Sequence, residues 1–125
     1  MKPANFVLLH AADLSASAAF YQRLFGLAAV EHSPTFAMFV LQGGFRLGLW
    51  KADCISPKTS GQTGASEIVF TCDEDAEVDA VHADWRAKGV TILQPPETMD
   101  FGHTFTAEDP DGHRLRVYHV AADPA

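Results

Sequence analysis

The sequence predicts an α+β protein: two βαβββ modules, each a small curved sheet with its helix on the outside, arranged around a cavity. Three observations lead there. Each half of the chain carries one helical apolar pattern set between strand-like runs; each of those patterns stops at a glycine, Gly26 and Gly89; and a stretch rich in Pro, Ser and Gly, "ADCISPKTSGQTG", separates the halves. A repeated order of elements implies one domain over residues 1–125, with module one at 1–51, a linker at 52–64 and module two at 65–125.

The first module opens with a short apolar strand, Phe6 to His10. Asp13 is an N-cap residue, and Leu14, Ala18, Tyr21 and Phe25 follow at helical spacing until Gly26. Three strand-like runs come next, Leu27 to His32, Phe36 to Gln42 and Phe45 to Lys51, the last two joined by the turn Gly43-Gly44. In the second module a strand runs from Glu67 to Cys72, a cap falls at Asp73 or Asp75, and a helix carries Val78, Val81 and Trp85. After Gly89 come a strand from Val90 to Leu93, a loop containing Pro and Gly, a strand from His103 to Ala107, the turn Asp109-Pro110-Asp111-Gly112 and a last strand from His113 to Val120. Such a sheet covers one face with its helix. The other face needs a second module or a second subunit, which makes it a natural ligand cavity and favours a homodimer.

Composition narrows the function classes. With 47% hydrophobic and 20% charged residues, the 125-residue chain has the make-up of a globular domain. Nine Lys and Arg against sixteen Asp and Glu give a formal charge of −7, which argues against nucleic acid and against an anionic membrane surface. A small organic ligand or another protein is the expected partner. No apolar run reaches signal-peptide or membrane-span length, so a cytoplasmic location is expected. Cys54 and Cys72 lack metal or redox spacing and are expected as two reduced thiols.

Several segments resemble the vicinal oxygen chelate superfamily, the glyoxalase, bleomycin-resistance and extradiol dioxygenase group. "ADLSASAAFYQRLFGL" resembles its first strand-helix junction, "RLGLW" its fourth strand and "DPDGHRLRV" its closing hairpin, in the family's order. The segments "FAMFVLQGGFRLGLW", "SEIVF" and "MDFGHTFTAEDPDGHRLRV" are most similar to its antibiotic-resistance members that sequester flat tricyclic compounds of the phenazine type. The resemblance implies that the family's enzymes would hold a divalent metal at positions which fall here on Phe6, Gly48, Glu67 and Arg116. Phenylalanine, glycine and a guanidinium supply no metal donor, so neither a metal nor any other cofactor is expected.

Strand alternation assigns further residues to the cavity side. With Gly48 inward, Arg46 and Trp50 point inward; with Phe6 inward, so do Leu8 and His10; around Arg116, so do Arg114 and Tyr118. Trp50 beside Gly48 makes a stacking site with a slot for a planar ligand. Its alternative is an ordinary core or interface tryptophan. Phe36, Met38 and Phe39 lie on the third strand, whose apolar residues occupy both faces; of these Phe39 is taken as a candidate contact. Phe101, beside Gly102 in a loop next to the last hairpin, is a candidate cavity wall.

Glu67 and Arg116 admit two compatible readings. They form an ion pair in which each relieves the other's desolvation, with ~3–5 kcal/mol lost when either is truncated, or Arg116 offers its fork of donors to a polar edge or carboxylate of a ligand. His10 is a cavity-facing imidazole with acid-base capacity. The other histidines, His32, His82, His103, His113 and His119, are expected at solvated positions. Ser56, Ser60 and Thr63 are linker residues with no base in place. The sequence therefore favours a metal-free binder of planar aromatic compounds that confers resistance by sequestration, without catalytic residues. The alternatives are a metal-dependent lyase, dioxygenase or thiol transferase, a metal-independent enzyme using His10 with Glu67 and Arg116, and a non-catalytic accessory subunit.

Overall fold

The computed structural model describes residues 1–59 and 61–121, so Ser60 and the last four residues assigned to module two lie outside the described residues. The chain divides into two compact units, Met1–Thr63 and Gly64–Ala125. Unit 1 holds β1 (Phe6–Ala11), α1 (Leu14–Phe25), β2 (Glu31–His32), β3 (Phe36–Val40) and β4 (Arg46–Lys51). Its sheet runs in the order β1-β4-β3-β2, with β1 parallel to β4 and the other pairs antiparallel. Unit 2 repeats the pattern with β5 (Glu67–Thr71), α2 (Asp75–Ala87), β6 (Thr91–Met99), β7 (Gly102–Glu108) and β8 (Arg114–Val120), ordered β5-β8-β7-β6. Each unit is thus a βαβββ fold in which the helix supplies the crossover between two parallel strands.

Helix α1 forms for local reasons before it packs. The Asp13 carboxylate accepts the Ala16 N–H at 3.1 Å, and the helix closes at Gly26, whose N–H donates to the Gln22 carbonyl. Leu14, Ala18, Tyr21 and Leu24 form a buried stripe that meets Leu9 and Ala11 on β1, Ala37 and Phe39 on β3, and Leu47 and Leu49 on β4. Tyr21 stacks on Phe25 with ring centres 5.6 Å apart, and both rings border Phe39.

That packing corrects one expectation. Phe39 is fully buried beneath α1, not on the face away from it, because it is in register with the buried Leu47 and shares the alternation of Ala37. Phe36 and Met38 are the residues of β3 that face the other way, in register with Trp50 and Gly48.

Unit 2 is packed by fewer, larger groups. Val78 and Trp85 are the buried residues of α2, and Trp85 sets its edge against Phe105 at 5.3 Å and against Phe70 at 5.9 Å. Two side-chain hydrogen bonds fasten the start of α2 to the sheet: Asp79 with His103 at 2.7 Å and Asp75 with His119 at 2.8 Å, the two histidines being cross-strand neighbours. The cap differs from both expected residues. Glu74 occupies the N-cap position without a side-chain bond, while the Glu77 carboxylate reaches back to the Asp73 N–H at 3.0 Å.

Two strands differ from the sequence reading. β2 keeps only Glu31–His32 of the expected 27–32 run, with Val30 joined to Met38 by one backbone hydrogen bond. β6 extends from Thr91 to Met99, through Pro95 and Pro96, where a loop was expected. It does so as an edge strand whose register shifts twice, after Ile92 and after Gln94, so neither proline has to donate to the ladder.

The core assignment has a direct consequence. Phe39→Ala is expected to cost about 3–5 kcal/mol in urea denaturation, as for a large aromatic removed from a filled core. Leu8→Ala, at a side chain 43% exposed on the other face of the same sheet, is expected to cost no more than about 1 kcal/mol.

Candidate ligand-binding face

The face of the unit 2 sheet turned away from α2 carries most of the polar chemistry. Alternation and register place Val69, Arg116, Thr106 and Gln94 in one cross-strand row, and Thr71, Tyr118, Thr104 and Glu97 in the next. Arg116 therefore projects from the middle of the sheet on the second strand in, where water can answer few of its donors.

The protein answers them instead. Arg116 donates from Nε to Glu67 Oε2 at 3.1 Å and from Nη2 to Oε1 at 3.5 Å. Its Nη1 donates to Thr104 Oγ1 at 3.2 Å and to Gln94 Oε1 at 3.3 Å. Those acceptors are fixed in turn: the Thr104 hydroxyl donates to the Val117 carbonyl, and the fully buried Thr106 hydroxyl donates to Gln94 Oε1, each at 2.9 Å. Gln94 passes the chain on, donating from Nε2 to Glu97 and to Met99 Sδ. Each member orients the next, so the guanidinium has one geometry.

An aromatic pair completes this face. The Phe101 ring lies over the guanidinium of Arg116, 5.5 Å from ring centre to Cζ, and meets Tyr118 edge to face at 5.7 Å. Gly102 makes that possible. Its φ is +146°, and a Cβ there would collide with the carbonyl oxygen of His119, so only glycine lets the β6–β7 connection fold down against β8. Phe101 is itself 41% exposed, presenting aromatic surface outward while covering Arg116.

The corresponding face of unit 1 is largely apolar, with Arg46 in register with Phe6 at one end. It carries Phe6, Leu8 and His10 on β1, Gly48 and Trp50 on β4, and Phe36 and Met38 on β3, with His10, Trp50 and Phe36 forming one cross-strand row. The open slot expected beside Gly48 is not there. A Cβ at Gly48 would stand 2.7 Å from Leu8 Cδ2 and 3.0 Å from Phe6 Cε1, because those two side chains lie across the glycine and fill the space.

The structure thus brings Glu67, Arg116, Phe101 and Tyr118 together on one face of unit 2, and His10 and Trp50 together on one face of unit 1. The sequence reading missed Gln94, Glu97, Thr104 and Thr106. The threonines were within reach, since they alternate with Phe105 in "HTFTA" and so share the face of Arg116. Gln94 was hidden by the prolines that follow it.

The residues do not suit the divalent metal that the family's enzymes hold. Of Phe6, Gly48, Glu67 and Arg116, only Glu67 has a donor atom, and the guanidinium already engages its carboxylate. Among the described residues one trio of possible ligands does converge, Asp109, Asp111 and His113, with ligand atoms within 4.8 Å. It builds the β7–β8 turn: Asp109 Oδ1 accepts the N–H groups of Asp111 and His113, and His113 Nδ1 meets the Ser66 hydroxyl and the Gly64 N–H.

Of the remaining histidines, His113 is buried and His103 and His119 are hydrogen-bonded to Asp79 and Asp75, which departs from the solvated positions expected for them; His82 packs against Phe105. Both cysteines are free. The Asp53 carboxylate accepting its S–H holds the Cys54 thiol above its ordinary range, and burial, with Glu77 and Asp73 close by, raises that of Cys72. A raised thiol pKa means less thiolate near neutral pH at both.

The ion pair is less costly to break than a fully buried one, because the Arg116 and Glu67 side chains keep 17% and 35% of their exposure. Arg116→Met and Glu67→Gln are each expected to destabilise by about 1–2 kcal/mol. A double-mutant cycle on urea midpoints should return a coupling of about 1 kcal/mol; zero coupling would dissolve the pair.

Comparison with known proteins places this geometry in context. The chain is 26% identical over 116 residues to the phenazine antibiotic resistance protein EhpR of Enterobacter agglomerans, covering 90% of this chain and 88% of that one. It is 48% identical to a protein of Agrobacterium tumefaciens known from a solution NMR structure, with a TM-score of 0.85 over 98% of this chain and 100% of the other. A glyoxalase/bleomycin resistance protein/dioxygenase from Nocardioides shares the fold at a TM-score of 0.82 and 22% identity, over 99% of this chain and 87% of that one. The family model for the Glyoxalase/Bleomycin resistance protein/Dioxygenase superfamily matches residues 4–117, and the chain belongs to that superfamily.

Proposed function

We propose that this protein binds planar aromatic compounds of the antibiotic or metabolite kind and confers resistance by sequestering them, as a metal-free homodimer without turnover. The observation that carries this reading is the fate of the metal positions. Where the family's enzymes need converging donors, this chain has Phe6 and Gly48 in one unit, and in the other a carboxylate held by Arg116 under the ring of Phe101. At those positions neither unit offers converging donors, and in unit 2 the ring of Phe101 lies beside the ion pair where a metal would need open lone pairs.

The chemistry of the two faces supports the same reading. In unit 2 an exposed phenylalanine and a tyrosine stand next to a rigid polar network, which offers stacking surface together with orientation. In unit 1 the row of His10, Trp50 and Phe36 offers aromatic surface. Removing apolar area from water at ~25 cal/mol per Å² would supply most of the affinity. The relative from Enterobacter agglomerans, a phenazine antibiotic resistance protein, supplies the first ligand class to try.

Fluorescence titration of metal-stripped protein with a panel of phenazines and other planar antibiotics tests the proposal. Saturable quenching is expected, lost in Trp50→Ala, while the buried Trp85 supplies a constant background. Phe101→Ala is expected to weaken binding about tenfold, the loss of one aromatic contact of ~1–1.5 kcal/mol. Chromatography of the recovered compound should show it unchanged. Product formation abolished by His10→Ala would replace sequestration with catalysis, and response only after adding a divalent metal would restore the metalloenzyme reading. Sedimentation equilibrium at twice the monomer mass is the expected result for the assembly.

A further inference from the structure

We propose that the unit 2 face selects planar ligands bearing N–H or amino donors and rejects aromatic carboxylates, because its guanidinium is committed to Glu67 and the carboxylate is the half of the pair that meets the ligand. This rests on the binding reading above and specifies its ligand class.

A guanidinium has five N–H donors. In Arg116 the Nε donor and one Nη2 donor go to Glu67, and Nη1 serves Gln94 and Thr104. The ring of Phe101 lies over the same group. Four of the five donors are thereby engaged, and a carboxylate that reached for the fifth, on Nη2, would stand beside Glu67 with the same charge. Glu67 is differently placed. Its side chain is 35% exposed against 17% for Arg116, and its Oε1 is held only at 3.5 Å, the outer limit of a hydrogen bond. That oxygen is the acceptor the face presents.

The wider charge balance points the same way. Arg114 lies in register with Glu67 on β5 and Glu108 on β7, and Glu97 ends the hydrogen-bond chain through Gln94. Two guanidinium groups stand among three carboxylates, so the face is net negative. A ligand donor is attracted and a ligand carboxylate repelled.

Isothermal titration of the wild-type protein at neutral pH with phenazine, an aminophenazine and a phenazine carboxylate is the test. The amine is expected to bind tightest and the carboxylate weakest, with at least about a tenfold difference between them. Glu67→Gln, which keeps the shape and removes the charge, should strengthen carboxylate binding about tenfold relative to the amine. Carboxylate binding equal to or tighter than the amine in the wild type overturns the proposal; if it is then lost in Arg114→Gln, the acid is recognised by Arg114 instead. An unchanged ratio in folded Glu67→Gln protein removes Glu67 from the selection. The wild-type ranking needs no variant, so a Glu67→Gln protein that fails to fold leaves the test intact. Binding of none of the three compounds sinks the sequestration reading itself, a result distinct from a reversed ranking.

Discussion

A guanidinium set in the interior of a β-sheet obliges its surroundings to be polar, ordered and specifically spaced, and much of unit 2 is organised by that obligation. Arg116 sits on β8, with paired strands on both sides, so its donors must be met from neighbouring strands. Glu67 answers from β5, Thr104 from β7 and Gln94 from β6. All four strands of the sheet therefore contribute to one hydrogen-bonded cluster. A register slip of one residue on any of them would turn its contribution to the helix side. The pair adds modest stability, being partly solvated, but it penalises the wrong register heavily.

The same topology is used twice with opposite surface chemistry. In both units the helix covers one side of the sheet with Leu, Val and aromatic groups, and the parallel strand pair lies next to that crossover. The other side is largely apolar in unit 1, where Phe6 and Leu8 close over Gly48, and polar in unit 2, where Arg116 is spanned by Gln94 and the threonines. Period-2 alternation separates the two demands on a strand: one set of residues satisfies the core, and the set between them is free to vary. That is how a repeated architecture acquires two faces of unlike chemistry.

What could be read in the sequence follows from the same separation. Helix limits were legible because Asp13 and Gly26 have local reasons to be where they are, and faces were legible on β4 and β8 because one fixed residue decides its neighbours two positions away. Phe39 was misplaced since β3, "FAMFV", is apolar on both sides and alternation alone has no sign; register with Leu47 supplies it. β6 was cut short because Pro95 and Pro96 signal a loop locally, while an edge position with two register shifts tolerates them. The slot at Gly48 failed for another reason: a missing Cβ shows that something comes close, but not whether that is a ligand or the protein's own Phe6 and Leu8.

Arginine at a position that could hold a metal ligand alters more than one atom. A metal ion demands converging lone pairs and tolerates several carboxylates at once, whereas a guanidinium supplies donors and charge from a fixed fork, here to one carboxylate and two neutral oxygens. Once Arg116 is in place, Glu67 becomes its counter-charge, Gln94 and Thr104 become its acceptors, and Phe101 can lie across it without desolvating a hydrated ion. A lone Arg116→Glu change would set two carboxylates side by side and leave Gln94 and Thr104 without the donors they now accept from. A change at Phe101 asks far less of the fold, because its ring only lies over the guanidinium and leaves the bonds from Arg116 to Glu67, Gln94 and Thr104 in place.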